Sequence, residues 1–194
     1  MLPYLFSLCC LTLLETDWQK RIHPFSHGIV LYMTEFTQKY VIVSLVEPLG
    51  NDTEFMMADW PLHVTVADVF AIDGSVNELI EQLKDLKQSG NSISSKIVGD
   101  EWFGEDKSIH VRLVEITDEL KDLHQRVLDV LVRSSVVFNN PEYTGPGFRP
   151  HSTVQSEDEL KIGDIVAFKS LTVIDMFPGD DPYKRKVLGT VSLL

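Results

Sequence analysis

Much that would mark a specialised protein is scarce in this chain. Among its 194 residues there are two cysteines, Cys9 and Cys10, adjacent to each other and outside the expected folded core. They cannot build a disulfide framework or a four-thiolate metal centre, and so few cysteines fit a reducing cytoplasm. Glycine and proline number 11 and 9, which excludes collagen-like and low-complexity readings. Positive charge is in deficit: 17 Lys and Arg face 29 Asp and Glu, a formal charge of -12. Repulsion of that sign argues against an extended nucleic-acid duplex as partner and leaves room for a small anionic substrate at a local site. The apolar run Met1 to Leu14 is too short to span a bilayer. It also lacks the basic start and the small-residue cleavage site of a secretory signal, so no membrane role is expected.

What remains is globular material, enough for one domain with a real core. Residues 1–32 include Trp18, Arg21, His23, Pro24 and His27 and carry no sustained helical or strand period. They are read as an N-terminal extension, with Met33 as the expected natural start and 33–194 as a single domain. His23 and His27 stand at i, i+4, but Pro24 breaks the helix that a metal-binding pair would need.

From Tyr40 onward the pattern is clear. Tyr40 to Val46 (YVIVSLV) and Leu62 to Phe70 (LHVTVADVF) read as strands, the first ended by Glu47-Pro48-Leu49-Gly50. Ser75 with Glu78 offers a capping box, and Val76, Leu79, Ile80, Leu83 and Leu86 share one helical face until Gly90. Ser92 to Phe103 and Lys107 to Ile116 form an expected hairpin around Gly104-Glu105-Asp106. Thr117 caps a second helix with Leu120, Leu123, Val127 and Leu131 inward, running to about Ser134. A loop from Asn139 to Gly147 precedes strands at Arg149 to Gln155, Ile165 to Phe177 and Lys186 to Leu193. Strands and helices without regular βαβ alternation indicate an α+β fold of antiparallel sheets. Each half of the chain holds one helix, one strand with a His-x-Thr tripeptide and a following pair of strands. Two similar lobes facing each other across a cleft are therefore expected.

The tripeptides His63-Val64-Thr65 and His151-Ser152-Thr153, 88 positions apart, carry the chemistry. In a strand, residues i and i+2 point to one side, so each tripeptide presents an imidazole beside a hydroxyl. Two such strands together place two imidazoles and two hydroxyls in one cavity. One neutral His can take a proton from an attacking oxygen, and one protonated His can give a proton to a leaving oxygen. The Thr65 and Thr153 hydroxyls can donate to the phosphate oxygens where charge builds up. This set of groups calls for no metal and no cofactor. Two such tripeptides arise by accident about one time in twenty, so their surroundings matter. Both have a Pro shortly upstream (Pro61, Pro150) and a Val directly after (Val66, Val154).

With those residues the sequence resembles the two-histidine phosphoesterases, which include the 2′-5′ RNA ligase-like proteins and the RNA 2′,3′-cyclic phosphodiesterases. Phe148-Arg149-Pro150-His151-Ser152-Thr153-Val154 is similar to the family's second motif, and Leu62-His63-Val64-Thr65-Val66 corresponds to the first. Trp102-Phe103-Gly104 followed by Ile109-His110-Val111-Arg112-Leu113 resembles the hairpin between them. The likeness runs over roughly Thr37 to Leu194. It implies a bilobal, pseudo-symmetric α+β fold with antiparallel sheets lining a central cleft and helices outside. It also implies metal-independent phosphodiesterase or ligase activity on 2′,3′-cyclic or 2′-5′ linked phosphates, with His63 and His151 as the acid–base pair. Family members often carry a basic residue after the second motif, where this chain has Gln155-Ser156-Glu157-Asp158-Glu159. Arg149, Lys169 and the Lys184-Arg185-Lys186 cluster are the candidate phosphate contacts, solvated surface being the commoner role for each; Arg149, two residues from His151 on the same strand face, is the best placed of them.

The expected substrate is a small nucleotide or an RNA terminus bound by a monomer. Tyr143, Phe148, Trp102 and Tyr183 can stack on a base, although packing is the commoner use of such rings. His124 is read as helix-face packing. His110 shares a face with Arg112, which allows it to look into the cleft, but it lacks a partnered Thr. The competing readings are a non-catalytic nucleotide-binding module of the same fold, and an interaction protein in which both His are core residues.

Overall fold

β-Branched and aromatic residues in unbroken runs set most of the strands. A computed structural model describes residues 38–87, 92–104, 106–155 and 159–194. The chain divides into Met1–Phe36 and Thr37–Leu194, and all that follows concerns the second unit. The expectations placed on Cys9, Cys10, His23, His27, Met33, Gly90 and Glu105 lie outside the described residues.

The strands are β1 (Tyr40–Leu45), β2 (Glu54–Met56), β3 (His63–Ala71), β4 (Ile93–Phe103), β5 (Ile109–Val114), β6 (Val137–Phe138), β7 (His151–Thr153), β8 (Ile165–Phe168), β9 (Ser170–Asp175) and β10 (Lys184–Ser192). The helices are α1 (Val76–Leu83) and α2 (Asp118–Arg133). One sheet has the order β2-β10-β9-β1-β3-β6 and the other β7-β5-β4-β8, with every pairing antiparallel. The fold is α+β, as the element pattern indicates.

The pseudo-symmetry exists in space but not in chain order. Counting away from each His-x-Thr strand, β3-β1-β9-β10 matches β7-β5-β4-β8. The first sheet takes β9 and β10 from the C-terminal half, and the second takes β4 from the middle of the chain. The expected single strand from Ile165 to Phe177 is for this reason two strands. It breaks at Lys169, β8 joining β4 and β9 joining β1. The run from Ile165 to Phe177, rich in strand formers on both sides of Lys169, hides a crossing between sheets, which periodicity cannot register. The strand expected at Arg149 to Gln155 is only three residues long. The short β2 and β6 carry too little pattern to be foreseen.

Both helices cover the same side of the two sheets. Leu79 and Leu83 of α1 and Leu120, Leu123, Val127 and Leu131 of α2 join Ile42, Val64, Val66, Val173, Ile97 and Phe168 in one buried core. Burying each such side chain is worth about 1.5–3 kcal/mol. α2 is capped as expected, with Thr117 Oγ1 accepting from the Leu120 N–H at 3.2 Å. Ser75 takes the N-cap position of α1 without a side-chain hydrogen bond, so half of the expected capping box is not used. α1 seats closely on β10 because position 189 is glycine; a Cβ there would lie 2.9 Å from Ile80 Cδ1. Among the described residues no helix is long and apolar enough to cross a membrane.

Candidate active site

Alternation along β3 and β7 decides which side chains leave the core. Val64 and Ser152 are buried, whereas His63, Thr65, His151 and Thr153 are partly exposed. Val64 packs in the helix-covered core, so His63 and Thr65 stand on the opposite face. On that face Thr65 pairs with Val43 and His63 with Leu45. In the second sheet His151 pairs with Leu113 and Thr153 with Val111. β3 and β7 pack against each other where the two sheets meet. The two imidazoles are near enough for the charge of His151 to depress the pKa of His63.

The two histidines are built alike. His63 Nδ1 donates to the carbonyl of Pro61 at 2.7 Å, and His151 Nδ1 donates to the carbonyl of Arg149 at 2.8 Å, each two residues upstream. A ring fixed at Nδ1 exchanges protons through Nε2, which sets the tautomer of both groups. Each ring also rests on an aromatic, His63 on Trp60 and His151 on Phe103, with centroids 4.7 Å apart in both cases. Behind each aromatic lies a guanidinium: Arg185 is 5.9 Å from the Trp60 ring and Arg149 is 4.9 Å from the Phe103 ring.

Burial holds both histidines below the ordinary imidazole pKa. For His63 burial is the main cause, opposed by the Pro61 carbonyl and reinforced by His151. For His151 burial again leads, opposed by the Arg149 carbonyl and the Asp68 carboxylate, while the Arg149 charge lowers it further. Repulsion between two positive imidazoles disfavours the doubly protonated pair, so the two groups take up protons one after the other.

Arg149 lies beside His151, ion-paired with Glu101 and half exposed. Arg185 does not fit its expected solvated role. It is 4% exposed, and its Nη1 donates to the carbonyls of Met176 and Pro182 at 2.7 and 2.8 Å. Its neighbours Lys184 and Lys186 turn to the other side of the strand, around a 480 Å³ cavity that also includes Glu54, Asp175 and Asp181. Lys169 lies exposed at the break between β8 and β9.

Register decides the places of His110 and Trp102. Trp102 pairs with His110, and Asp100 with Arg112, which in turn opposes Ser152. That row stands on the face away from His151, so neither His110 nor Trp102 looks into the cleft. Trp102 instead stacks on His110 at 4.6 Å, and His110 Nε2 bonds Asp100 at 3.1 Å. Glu159 also binds Arg112, at 2.9 Å; Ser156, Glu157 and Asp158 lie outside the described residues. Phe148 is buried as packing, whereas Tyr143 and Tyr183 are exposed. The pattern missed Trp60, Phe103 and Asp68 as neighbours of the histidines. Trp60 had a signal, since it lies three residues before His63, but Phe103 and Asp68 approach His151 only through the tertiary fold.

A profile described as the 2′-5′ RNA ligase superfamily matches residues 46–170. The chain belongs to that superfamily, whose members are enzymes of the phosphoesterase and ligase type. The fold is similar to that of E. coli LigT complexed with NADP+, at a TM-score of 0.51 and 14% identity over 80% of this chain and 97% of that one. It is equally similar to E. coli LigT complexed with 3′-AMP, at a TM-score of 0.51 and 13% identity over 80% and 98%. No curated protein matches the chain. Among the described residues no cluster of three or more His, Cys, Asp or Glu is placed to hold a metal ion.

Proposed function

We propose that the chain is a metal-independent phosphodiesterase that opens nucleoside or RNA 2′,3′-cyclic phosphates or cleaves 2′-5′ linkages, with 2′-5′ ligation as the formal reverse of the latter. In this reading residues 33–194 carry the activity, in the cytoplasm. The observation that carries it is the twinned setting of His63 and His151, each locked at Nδ1 by the carbonyl two residues back, with the charge of His151 felt at His63. The E. coli LigT structures with NADP+ and 3′-AMP support a nucleotide as ligand.

The chemistry follows from those atoms. Nε2 of the neutral imidazole takes a proton from water as its oxygen bonds to phosphorus. The phosphorus–oxygen bond to the leaving ribose oxygen breaks, and Nε2–H of the protonated imidazole supplies the proton that oxygen needs. Thr65 and Thr153 donate to the non-bridging oxygens, and Arg149 adds a positive charge beside them after exchanging Glu101 for phosphate. Without substrate, Glu101 keeps that guanidinium oriented. The test is hydrolysis of a 2′,3′-cyclic nucleotide by the wild type and by His63→Ala/His151→Ala. Turnover lost in the double variant supports the reading. A wild type that binds the nucleotide tightly and never turns it over places the binding module in front.

A further inference from the structure

His124 takes no part in these proton transfers, yet it is tied to β3 and to the segment that leads into β7. It lies on α2, 3% exposed. Its Nδ1 donates to the carbonyl of Val66, the residue after Thr65, at 2.7 Å. The N–H of Gly145 donates to its Nε2 at 3.0 Å. Its ring lies flat on Phe148, three residues before His151, with centroids 3.9 Å apart and planes 6° from parallel. A ring that donates at Nδ1 and accepts at Nε2 is the neutral Nδ1–H tautomer, and burial, opposed by the Val66 carbonyl, favours that form.

This matters because β3 and β7 belong to different sheets and are not paired with each other. The spacing of His63 and His151 must be set by something other than a strand ladder. The segment leading to β7 is tight and shaped by contacts: a Cβ at Gly147 would fall 1.8 Å from the Glu142 carbonyl oxygen. Its earlier part is tied to β3 through Asn139 N–H to the Val69 carbonyl at 2.8 Å and Asn140 to Asp68 at 2.9 Å. Its later part, from Gly145 to Phe148, meets the imidazole of His124.

We propose that His124 is a positioning residue that fastens β3 and the segment leading into β7 to α2 and so fixes the separation of His63 and His151. The kinetic consequence rests on the phosphodiesterase reading; the positional claim does not. ¹⁵N NMR of the wild-type imidazoles should find His124 neutral at pH 7, protonated at Nδ1 and bare at Nε2. An Nε2–H tautomer, or a ring titrating freely at about 6.5, overturns the proposal. His124→Phe keeps a ring on Phe148 and removes both hydrogen bonds. It should shift the titration of His63 and of His151 and lower kcat on a cyclic phosphate roughly tenfold or more, with KM little changed. His124→Gln, whose amide again offers one donor and one acceptor, should recover most of that kcat.

A His124→Phe protein with a lowered Tm but wild-type kcat and unshifted His63 and His151 refutes the proposal. If that variant does not fold, the wild-type tautomer and the kcat of His124→Gln decide. A wild type without turnover, whose His63 and His151 still shift in His124→Phe, sinks the phosphodiesterase reading and upholds the positional one.

Discussion

The surroundings of His63 and His151 repeat one plan with two degrees of enclosure. Both rings hang from a carbonyl two residues upstream, lean on an aromatic and have a guanidinium behind it. Around His63 the supports are internal: Trp60 packs against Phe55 beside a small core of Val41, Val43, Leu45 and Ile174, and Arg185 is buried on backbone carbonyls. Around His151 they are open: Arg149 is half exposed and its partner Glu101 is also accessible. The same motif thus has one arm built into the interior, where rigidity comes from packing, and one arm at a sheet edge, where a charged side chain is free to exchange partners. A buried arginine on carbonyls holds its place, whereas an exposed one can meet a ligand.

The largest effect should come from the imidazoles themselves. His63→Ala and His151→Ala should each lower kcat on a cyclic phosphodiester by about 10²–10⁴, and the double variant should lose little more, because the pair acts as a unit. A single variant at undiminished rate would break the equivalence of the two arms.

The arginines test the difference directly. Arg185→Ala leaves carbonyls of Met176 and Pro182 without their donor and should cost about 1–3 kcal/mol of stability in chemical denaturation. Arg149→Ala removes an exposed pair and should change stability by less than about 1 kcal/mol while raising KM for the phosphate substrate. The opposite assignment of effects would show that enclosure does not separate structural from ligand-facing arginines here. Thr65→Ala and Thr153→Ala should each slow turnover about tenfold, roughly the worth of one hydrogen bond, measured by kcat at saturating substrate.

Smaller shifts follow from pH. His63, His124 and His151 all have folded-state pKa values lowered by burial. The unfolded chain therefore binds protons first. Stability from these groups is present above about 6.5 and is lost as pH falls from there through the lowered folded values. Tm should fall over that window in the wild type and less steeply in His124→Gln. The kcat/KM profile, which reports the free enzyme, should peak on the acid side of 6.5. A maximum above 7 would show that the site is more polar than its burial indicates. The smallest effect is expected from removing residues 1–32, which should leave both kcat and Tm unchanged in a protein starting at Met33.

The sequence by itself determined the parts whose signal is local. Alternation placed His63 with Thr65 and His151 with Thr153 on one side of each strand, because the pleat has a period of two wherever it forms. Helical spacing placed Leu79, Leu83, Leu120 and Leu123 in the core, and the Thr117 cap began α2 at the residue where it is found. What only the tertiary structure decided is which elements become neighbours. The crossing at Lys169, the turn of Trp102 and His110 to the far face, and the approach of Asp68 and Phe103 to His151 depend on contacts between residues distant in the chain. The contrast between Arg185 and Arg149 has the same origin. Both are arginines near strands, and the choice between buried on carbonyls and open to a ligand is made by sheet order, which no spacing along the chain records.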